Sequence, residues 1–83
     1  MSSDHLTKEV IAILGQIDRN KSVILPRTLI LSELDFDSLQ MMSLFEILMD
    51  RFGVDLMSSP YTLNDIRTPE SIASAVHSHL LEN

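Results

Sequence analysis

The sequence contains no cysteine and no tryptophan, and its aromatic residues are three phenylalanines and one tyrosine. The absence of cysteine excludes a disulfide framework and any zinc site built on thiolates. It also leaves the chain without a thiol of its own, so any thioester chemistry would need a thiol from another molecule. Only two glycines and three prolines are present, so residues that break regular structure are few.

Basic residues are also scarce, with six lysines and arginines against twelve aspartates and glutamates, for a net charge of −6. Nucleic-acid binding needs clustered basic side chains for the phosphates, and these are scattered, which argues against nucleic acid as a partner. An acidic surface instead favours basic patches on partner proteins. The basic residues are Lys8, Arg19, Lys21, Arg27, Arg51 and Arg67.

No apolar stretch is long enough to span a bilayer, because charged or polar residues interrupt each one. The first ten residues, MSSDHLTKEV, lack the basic and apolar regions of a secretory signal. We therefore expect a cytoplasmic protein that does not bind membranes. The chain has 83 residues, of which 45% are apolar and 22% charged, which is typical of a globular protein. We expect a single domain over residues 1–83.

Helical periodicity is clear near both ends of the chain. The first helix is predicted to begin near Ser3 or Asp4, either of which is a suitable N-cap, and to end near Arg19–Asn20. Its apolar stripe is Leu6, Val10, Ile13, Leu14 and Ile17. The last helix is predicted to begin at residues 68–70, where a Thr cap, a Pro and an acid follow one another. Its stripe is Ile72, Ala75, Val76, His79 and Leu80.

A second long helix is predicted from about Ser38 to Phe52, with Gly53 as the glycine that ends it. A single helical turn is predicted for the segment TLNDI, with Thr62 as its cap. These elements predict an all-α fold of four helices, three long and one short, without a compelling strand.

Residues 21–37 form a long connection between helices one and two, and Pro26 interrupts any helix there. Their apolar clusters can be interpreted as two short strands, but a lone two-stranded pair is marginal in so short a chain. We favour a long ordered loop, and loops of this length are usually functional. The apolar residues expected to fill gaps between the helices are Ile24, Leu25, Leu29, Leu31 and Leu34.

The step from this loop into helix two reads Asp37-Ser38-Leu39-Gln40. An acid followed three residues later by glutamine is a pattern similar to a capping box. Taken alone, the pattern is accounted for by a helix cap, because Asp and Ser are preferred N-caps in proteins of every kind. The residues around the step favour a further role.

Together with the residues around it, this segment resembles the signature of the acyl and peptidyl carrier proteins. That signature is Gly-x-Asp-Ser-Leu after a long first loop. Here residues 35–39 read Asp-Phe-Asp-Ser-Leu. The segments LFEILMDRFGVDL and TLNDIRTPESIASAV are similar to the family's second helix and to its third and fourth helices. The resemblance covers nearly the whole chain and implies an acyl-carrier-like four-helix bundle. Asp35 replaces the family's glycine, and Asp tolerates the left-handed backbone that glycine permits.

The resemblance implies a stand-alone, monomeric carrier, not an enzyme, in which Ser38 bears 4′-phosphopantetheine. A phosphopantetheinyl transferase would move the group from coenzyme A with magnesium, and Asp37 would take part in its recognition. Acyl or aminoacyl groups would then be carried as thioesters. The other expected partners are an adenylation-type ligase or acyltransferase and downstream synthase components. The sequence does not identify the cargo, which the resemblance places near Leu44, Leu48, Leu63 and Ile66.

Helix two has two apolar stripes when its residues are placed about 100° apart. The stripe predicted to face the core is Met41, Leu44, Phe45, Leu48 and Phe52. Leu39, Met42 and Met49 lie outside it around Glu46, and they either pack on the loop or the third helix or contact partners. Exposed Met suits a surface that meets several partners. The predicted partner surface is Leu39, Gln40, Met42, Ser43, Glu46, Met49 and Asp50.

Many fatty-acid carriers in the family have a run of acids on helix two, and this chain has few. We therefore favour polyketide or nonribosomal-peptide-type biosynthesis, such as antibiotic biosynthesis, over a housekeeping fatty-acid role. The chain could also be an all-helical interaction module that never carries the arm, or a small hydrolase that uses Ser38. The hydrolase would lack a base near the serine in sequence and a visible oxyanion hole.

No metal site is expected from the sequence. His77 and His79 lie about 200° apart around a helix, so they cannot bind one ion together. Asp50 and Asp55 lack the spacing of a calcium-binding loop.

Overall fold

The structure is a computed structural model that describes residues 3–58 and 61–82. Its α-helices are α1 (Ser3–Ile17), α2 (Ser38–Phe52) and α3 (Pro69–Glu82), and a 3₁₀ helix covers Leu63–Ile66. No strand occurs within those two ranges, and the predicted all-α class is confirmed. The predicted count of four helices is not confirmed, because the short element is a single 3₁₀ turn and the described chain has three α-helices. None of the helices in these ranges has the length and apolar character that crossing a bilayer requires.

Helix α1 begins close to the predicted position, but it ends at Ile17 rather than near Arg19–Asn20. The cause is Asp18, whose carboxylate accepts hydrogen bonds from the backbone N–H groups of Asn20 (3.2 Å) and Ser22 (2.7 Å). These bonds compete with helical ones and end the helix. They also hold the pKa of Asp18 below its usual range, with the Ser22 N–H as the largest cause.

One hydrophobic core joins the three helices, and α1 packs against both α2 and α3. The buried helix residues in it are Leu6, Val10, Ile13, Leu14, Met41, Leu44, Leu48, Ile72, Ala73, Ala75 and Val76. The predicted stripe residues that are only partly buried are Ile17, Phe45, Phe52 and His79. Leu80 was expected in the core but is 40% exposed, because it lies beyond Val76, the last buried residue of α3. Ala73 is buried although the predicted stripe omits it.

The connection between α1 and α2 is a loop without strands, but its buried residues differ from those expected. Leu34 is buried as predicted, whereas the predictions for Leu25 and Leu31 are wrong, because these side chains are 59% and 50% exposed. Ile30 and Phe36 occupy the core instead. The other two residues of the prediction, Ile24 and Leu29, are partly buried.

Backbone hydrogen bonds explain which loop residues face the core. The N–H groups of Glu33 (2.8 Å) and Leu34 (3.3 Å) both donate to the carbonyl oxygen of Leu29, so the chain makes a tight turn there. The N–H of Ile30 donates to the carbonyl oxygen of Arg67 at 3.0 Å. The turn is therefore anchored to the segment before α3, and Ile30 is fully buried in this position.

The two predicted threonine caps in the second half of the chain are present. Thr62 precedes the 3₁₀ helix, and its N–H and hydroxyl both donate to the Asp65 carboxylate, at 2.7 and 3.2 Å. Thr68 precedes α3, and its hydroxyl oxygen accepts the N–H of Ser71 at 3.0 Å. The Ser71 hydroxyl oxygen accepts the N–H of Thr68 at 2.9 Å. These reciprocal bonds satisfy N–H groups that have no partner inside the helix.

Candidate functional site

A reciprocal pair of hydrogen bonds defines the start of α2. Asp37 Oδ1 accepts the backbone N–H of Gln40 at 2.8 Å, and Gln40 Oε1 accepts the backbone N–H of Asp37 at 3.0 Å. This is the capping box that the sequence predicts, with Asp37 as the N-cap. Ser38 is therefore the first residue of the helix, and its side chain is exposed.

The other end of α2 also lies where the sequence predicts it. Gly53 adopts the left-handed backbone conformation, with φ of 69°, and its N–H donates to the carbonyl oxygen of Met49 at 2.9 Å. A residue with a side chain rarely adopts this conformation, which explains why a glycine ends the helix.

Gln40 does not belong to the exposed partner surface predicted from the sequence. Its side chain is only 7% exposed, because its oxygen closes the capping box and its nitrogen is used elsewhere. Gln40 Nε2 donates to the carbonyl oxygen of Ile17, the last residue of α1, at 3.3 Å. One side chain therefore connects the end of α1 to the start of α2. The glutamine three residues after the N-cap was the signal for this inward role.

Asp35 has the backbone conformation expected for the position where the carrier family has glycine. Its φ is 54°, in the left-handed region that Asp tolerates better than most residues with side chains. Asp35 therefore adopts positive φ in the turn into α2, and this residue is exposed and lies close to Ser38 in the chain.

A basic side chain lies beside the N-cap, and the sequence pattern does not reveal it. Arg19 Nη2 is 3.7 Å from Asp37 Oδ2, with the two side chains 68% and 51% exposed. Because the residues are far apart in sequence, no local pattern could have revealed this pair. It brings positive charge to the Asp37-Ser38 step in a chain whose net charge is −6.

The residues at this step fit a phosphodiester on Ser38. The hydroxyl is exposed, and the first N–H groups of a helix have no carbonyl partner within the helix. These N–H groups and the helix dipole favour an anion at that end. Arg19 supplies a cation beside Asp37 Oδ2, the carboxylate oxygen that the cap does not use.

The second apolar stripe of α2 is exposed, which agrees with the position predicted for it. Leu39, Met42 and Met49 are 68%, 50% and 44% exposed. Met42 and Met49 line a groove of about 370 Å³, to which the loop after α2 contributes Met57. The other lining residues are Phe45 and the acids Glu46, Asp50 and Asp55. The groove is therefore lined by both apolar and acidic side chains, and the sequence did not predict the contribution of Met57.

A second groove of about 370 Å³ runs along the opposite edge of α2, towards α1. Leu39 and Ser43 line it from α2, together with Arg19 from the loop. Its other lining residues are Gln16, Ile17, Gln40 and Ile47. The six exposed members of the predicted partner surface therefore border two grooves on either side of the helix that begins at Ser38.

Three of the four residues at the expected cargo position are buried in the core. Leu44 and Leu48 are fully buried and Ile66 is 8% exposed, whereas Leu63 is 76% exposed on the 3₁₀ helix. A cargo between α2 and the 3₁₀ helix would require the core to open at this place.

The acidic and histidine residues considered for metals do not form a site in the described part of the chain. Asp55 accepts the N–H of Met57 at 3.0 Å and the hydroxyl of Ser58 at 2.7 Å, so its carboxylate stabilises a turn. His77 and His79 are both partly buried on α3, and neither is fully exposed. In residues 3–58 and 61–82, no group of three or more potential ligands is arranged to hold a metal ion.

The chain matches a known protein family. A family model described as a phosphopantetheine attachment site matches residues 8–76, which include the whole of α2 and both of its caps. Searches of curated protein sequences and of solved structures return no match.

Proposed function

Because this chain belongs to the phosphopantetheine attachment site family, we propose that Ser38 is the residue to which the group is attached. Membership makes the chain a phosphopantetheine-bearing carrier protein, with 4′-phosphopantetheine as its covalently bound cofactor. Carrier domains of this kind interact with phosphopantetheinyl transferases and synthase components.

The position of Ser38 is the observation that carries the proposal. It is the exposed first residue of α2, directly after an N-cap whose capping box holds the helix end in place. A rigid helix end lets a transferase approach the hydroxyl from solvent, and the helix N-terminus stabilises the phosphodiester that forms. Ser43 is also exposed on α2, but it lies in the body of the helix, where the helix N-terminus does not stabilise an anion.

The chemistry of attachment needs no activated serine in this chain. The hydroxyl oxygen of Ser38 would form a bond to phosphorus, and the bond from that phosphorus to the nucleotide part of coenzyme A would break. The hydroxyl proton would pass to a base of the transferase, and adenosine 3′,5′-bisphosphate would leave. The attached arm ends in a thiol, which supplies the group that a chain without cysteine lacks.

We propose that Asp37 takes part in recognition by the transferase while it caps α2. Its Oδ1 is used by the Gln40 N–H, whereas its Oδ2 lies on a half-exposed side chain beside Arg19 and is accessible to a second partner. Both roles can operate together, because the cap uses only one of the two oxygens.

The exposed grooves beside α2 support a partner surface made of Leu39, Met42, Ser43, Glu46, Met49 and Asp50. Partly exposed methionines adapt to different apolar surfaces, and the carboxylates around them favour partners that present lysine or arginine. Gln40 is left out because it is buried. An adenylation-type ligase or an acyltransferase and downstream synthase components are the partners that this surface would serve.

The composition of this surface supports specialised synthesis over a housekeeping fatty-acid role. Gln40, Ser43 and Met49 occupy positions where acids are common in fatty-acid carriers, and only Glu46 and Asp50 remain as acids on this surface. We therefore propose polyketide or nonribosomal-peptide-type biosynthesis in the cytoplasm. The carrier would act as a monomeric single domain that is not itself an enzyme. Charging of the loaded protein by adenylation-type ligases, acyltransferases and a fatty-acid malonyl-transferring enzyme, read by mass, separates these roles.

Intact-protein mass tests the attachment directly. The chain is co-expressed with a promiscuous phosphopantetheinyl transferase, alongside Ser38→Ala and the matched control Ser43→Ala. The wild type and Ser43→Ala should gain the mass of one phosphopantetheine, and Ser38→Ala should gain none. An unchanged wild-type mass would instead favour an interaction module that never carries the arm.

A further inference from the structure

The N-cap of α2 has one carboxylate oxygen that the capping box does not use. Asp37 Oδ1 accepts the Gln40 N–H, whereas Oδ2 lies 3.7 Å from Arg19 Nη2. Both side chains of the ion pair are more than half exposed, so the pair is weak and can rearrange. Asp37 cannot move far without breaking the cap. Any rearrangement would therefore be made by Arg19.

The backbone at Arg19 is held on both sides, although its side chain is exposed. The Asp18 carboxylate accepts two backbone N–H groups that follow Arg19, at 3.2 and 2.7 Å. On the other side, Gln40 Nε2 donates to the carbonyl oxygen of Ile17 at 3.3 Å. Because the same glutamine also closes the capping box, the starting point of the Arg19 side chain is fixed relative to Ser38.

A phosphodiester on Ser38 would place a second anion directly after Asp37 in the chain. The two like charges repel, and the capping box offers no charge to compensate the new one. In residues 3–58 and 61–82, the arginine that forms an ion pair at this step is Arg19, which pairs with Asp37. Arg51 pairs with Glu9 instead. A guanidinium has five N–H donors in a planar fork, which is enough to bind a carboxylate and a phosphate together.

We propose that Arg19 binds the phosphodiester formed on Ser38, with its guanidinium bridging that group and Asp37 Oδ2. This inference rests on the proposed attachment at Ser38. Arg19 is then a positioning residue: it neutralises the first charged group of the arm and sets the direction in which the arm leaves the helix. Lysine would supply the charge but not the planar fork, so it should replace Arg19 only in part.

The test compares Arg19→Gln and Arg19→Lys with Arg27→Gln, which removes an exposed arginine from the same loop. Each protein is loaded with coenzyme A and a promiscuous transferase, and mass confirms the loading. Phosphorus NMR is then recorded at low and high salt. In the wild type and Arg27→Gln, the phosphodiester resonance should shift as salt screens the contact. In Arg19→Gln, it should be displaced at low salt and nearly insensitive to salt, with Arg19→Lys in between.

A second measurement uses the wild-type sequence, so it tests the contact between Arg19 and the phosphodiester even if Arg19→Gln resists loading. The side-chain Nε–H resonance of Arg19 should shift when Ser38 is loaded, and it should not shift in Ser38→Ala treated in the same way. An unmoved Arg19 resonance in fully loaded protein would overturn the Arg19 contact and leave the attachment at Ser38 standing. A wild type that gains no mass would overturn the attachment and this inference together.

Discussion

Gln40 Nε2 donates a hydrogen bond to the carbonyl oxygen of Ile17 at 3.3 Å, so the last residue of α1 is tied to the first turn of α2. The oxygen of the same side chain accepts the Asp37 N–H. The position of Ser38 relative to the rest of the molecule therefore depends on one buried amide.

Replacing this amide should destabilise the protein. In Gln40→Ala, the carbonyl oxygen of Ile17 and the N–H of Asp37 both lose their partner, and leaving buried polar groups unpaired costs about 1–3 kcal/mol. Urea unfolding measures the loss. The control Gln16→Ala removes an exposed glutamine of α1 and should change stability by less than about 0.5 kcal/mol. Equal stability of the two variants would rule out a structural role for Gln40.

The exposed methionines of α2 should matter for partners and little for folding. Met42→Glu and Met49→Glu should slow charging of the arm by the ligase or acyltransferase that charges the wild type. The melting temperature should barely change, because these side chains are 50% and 44% exposed. Leu81→Glu, at a 74% exposed position on α3, should leave the charging rate unchanged. A large drop in melting temperature in either methionine variant would mean that these residues belong to the core.

Acid should remove the contribution of Asp18 to stability. Its pKa is lowered in the folded protein, first by the hydrogen bond from the Ser22 N–H, so folding favours the charged form. The Asp18 contribution to stability is complete above about pH 3.9, the unfolded pKa of an aspartate. It disappears as the pH falls through the lower pKa of the folded protein. The stability difference between wild type and Asp18→Asn should thus be larger at neutral pH than in strong acid. A difference that stays constant with pH would contradict this.

The two glycines should respond in opposite directions to the same substitution. Gly53→Ala should cost about 1–2 kcal/mol, because an L side chain is disfavoured at a φ of 69° even though no atom beyond the neighbouring residues lies within 4 Å of the new methyl group. Gly15→Ala, in α1 and equally free of clashes, should stabilise by about 0.4–1 kcal/mol. Urea unfolding of both variants provides the comparison. Changes of the same sign would mean that Gly53 does not need its left-handed conformation.

The sequence predicted features that local residues determine. Both ends of α2 were predicted correctly because Asp37 and Gly53 are local signals, and the left-handed backbone expected for Asp35 was confirmed. The prediction that Gln40 lies on the surface is wrong, although its spacing from Asp37 already indicated a cap.

Features that depend on distant contacts could not be predicted. Ile30 rather than Leu31 is buried because of a hydrogen bond to Arg67, which lies in another part of the chain. The pairing of Arg19 with Asp37 likewise exists only after α1 and α2 have packed together. The 3₁₀ form of the short helix was also missed, because one turn of helix has the same sequence pattern in either geometry.

Attachment at Ser38 can be tested by locating the modified residue in the chain. The loaded wild-type protein is cleaved after Arg27 and Arg51, which gives a peptide containing Ser32, Ser38 and Ser43. Fragmentation of this peptide by tandem mass spectrometry should place phosphopantetheine on Ser38. A modification on Ser32 or Ser43, or a peptide that remains unmodified in a protein of increased mass, would contradict the claim.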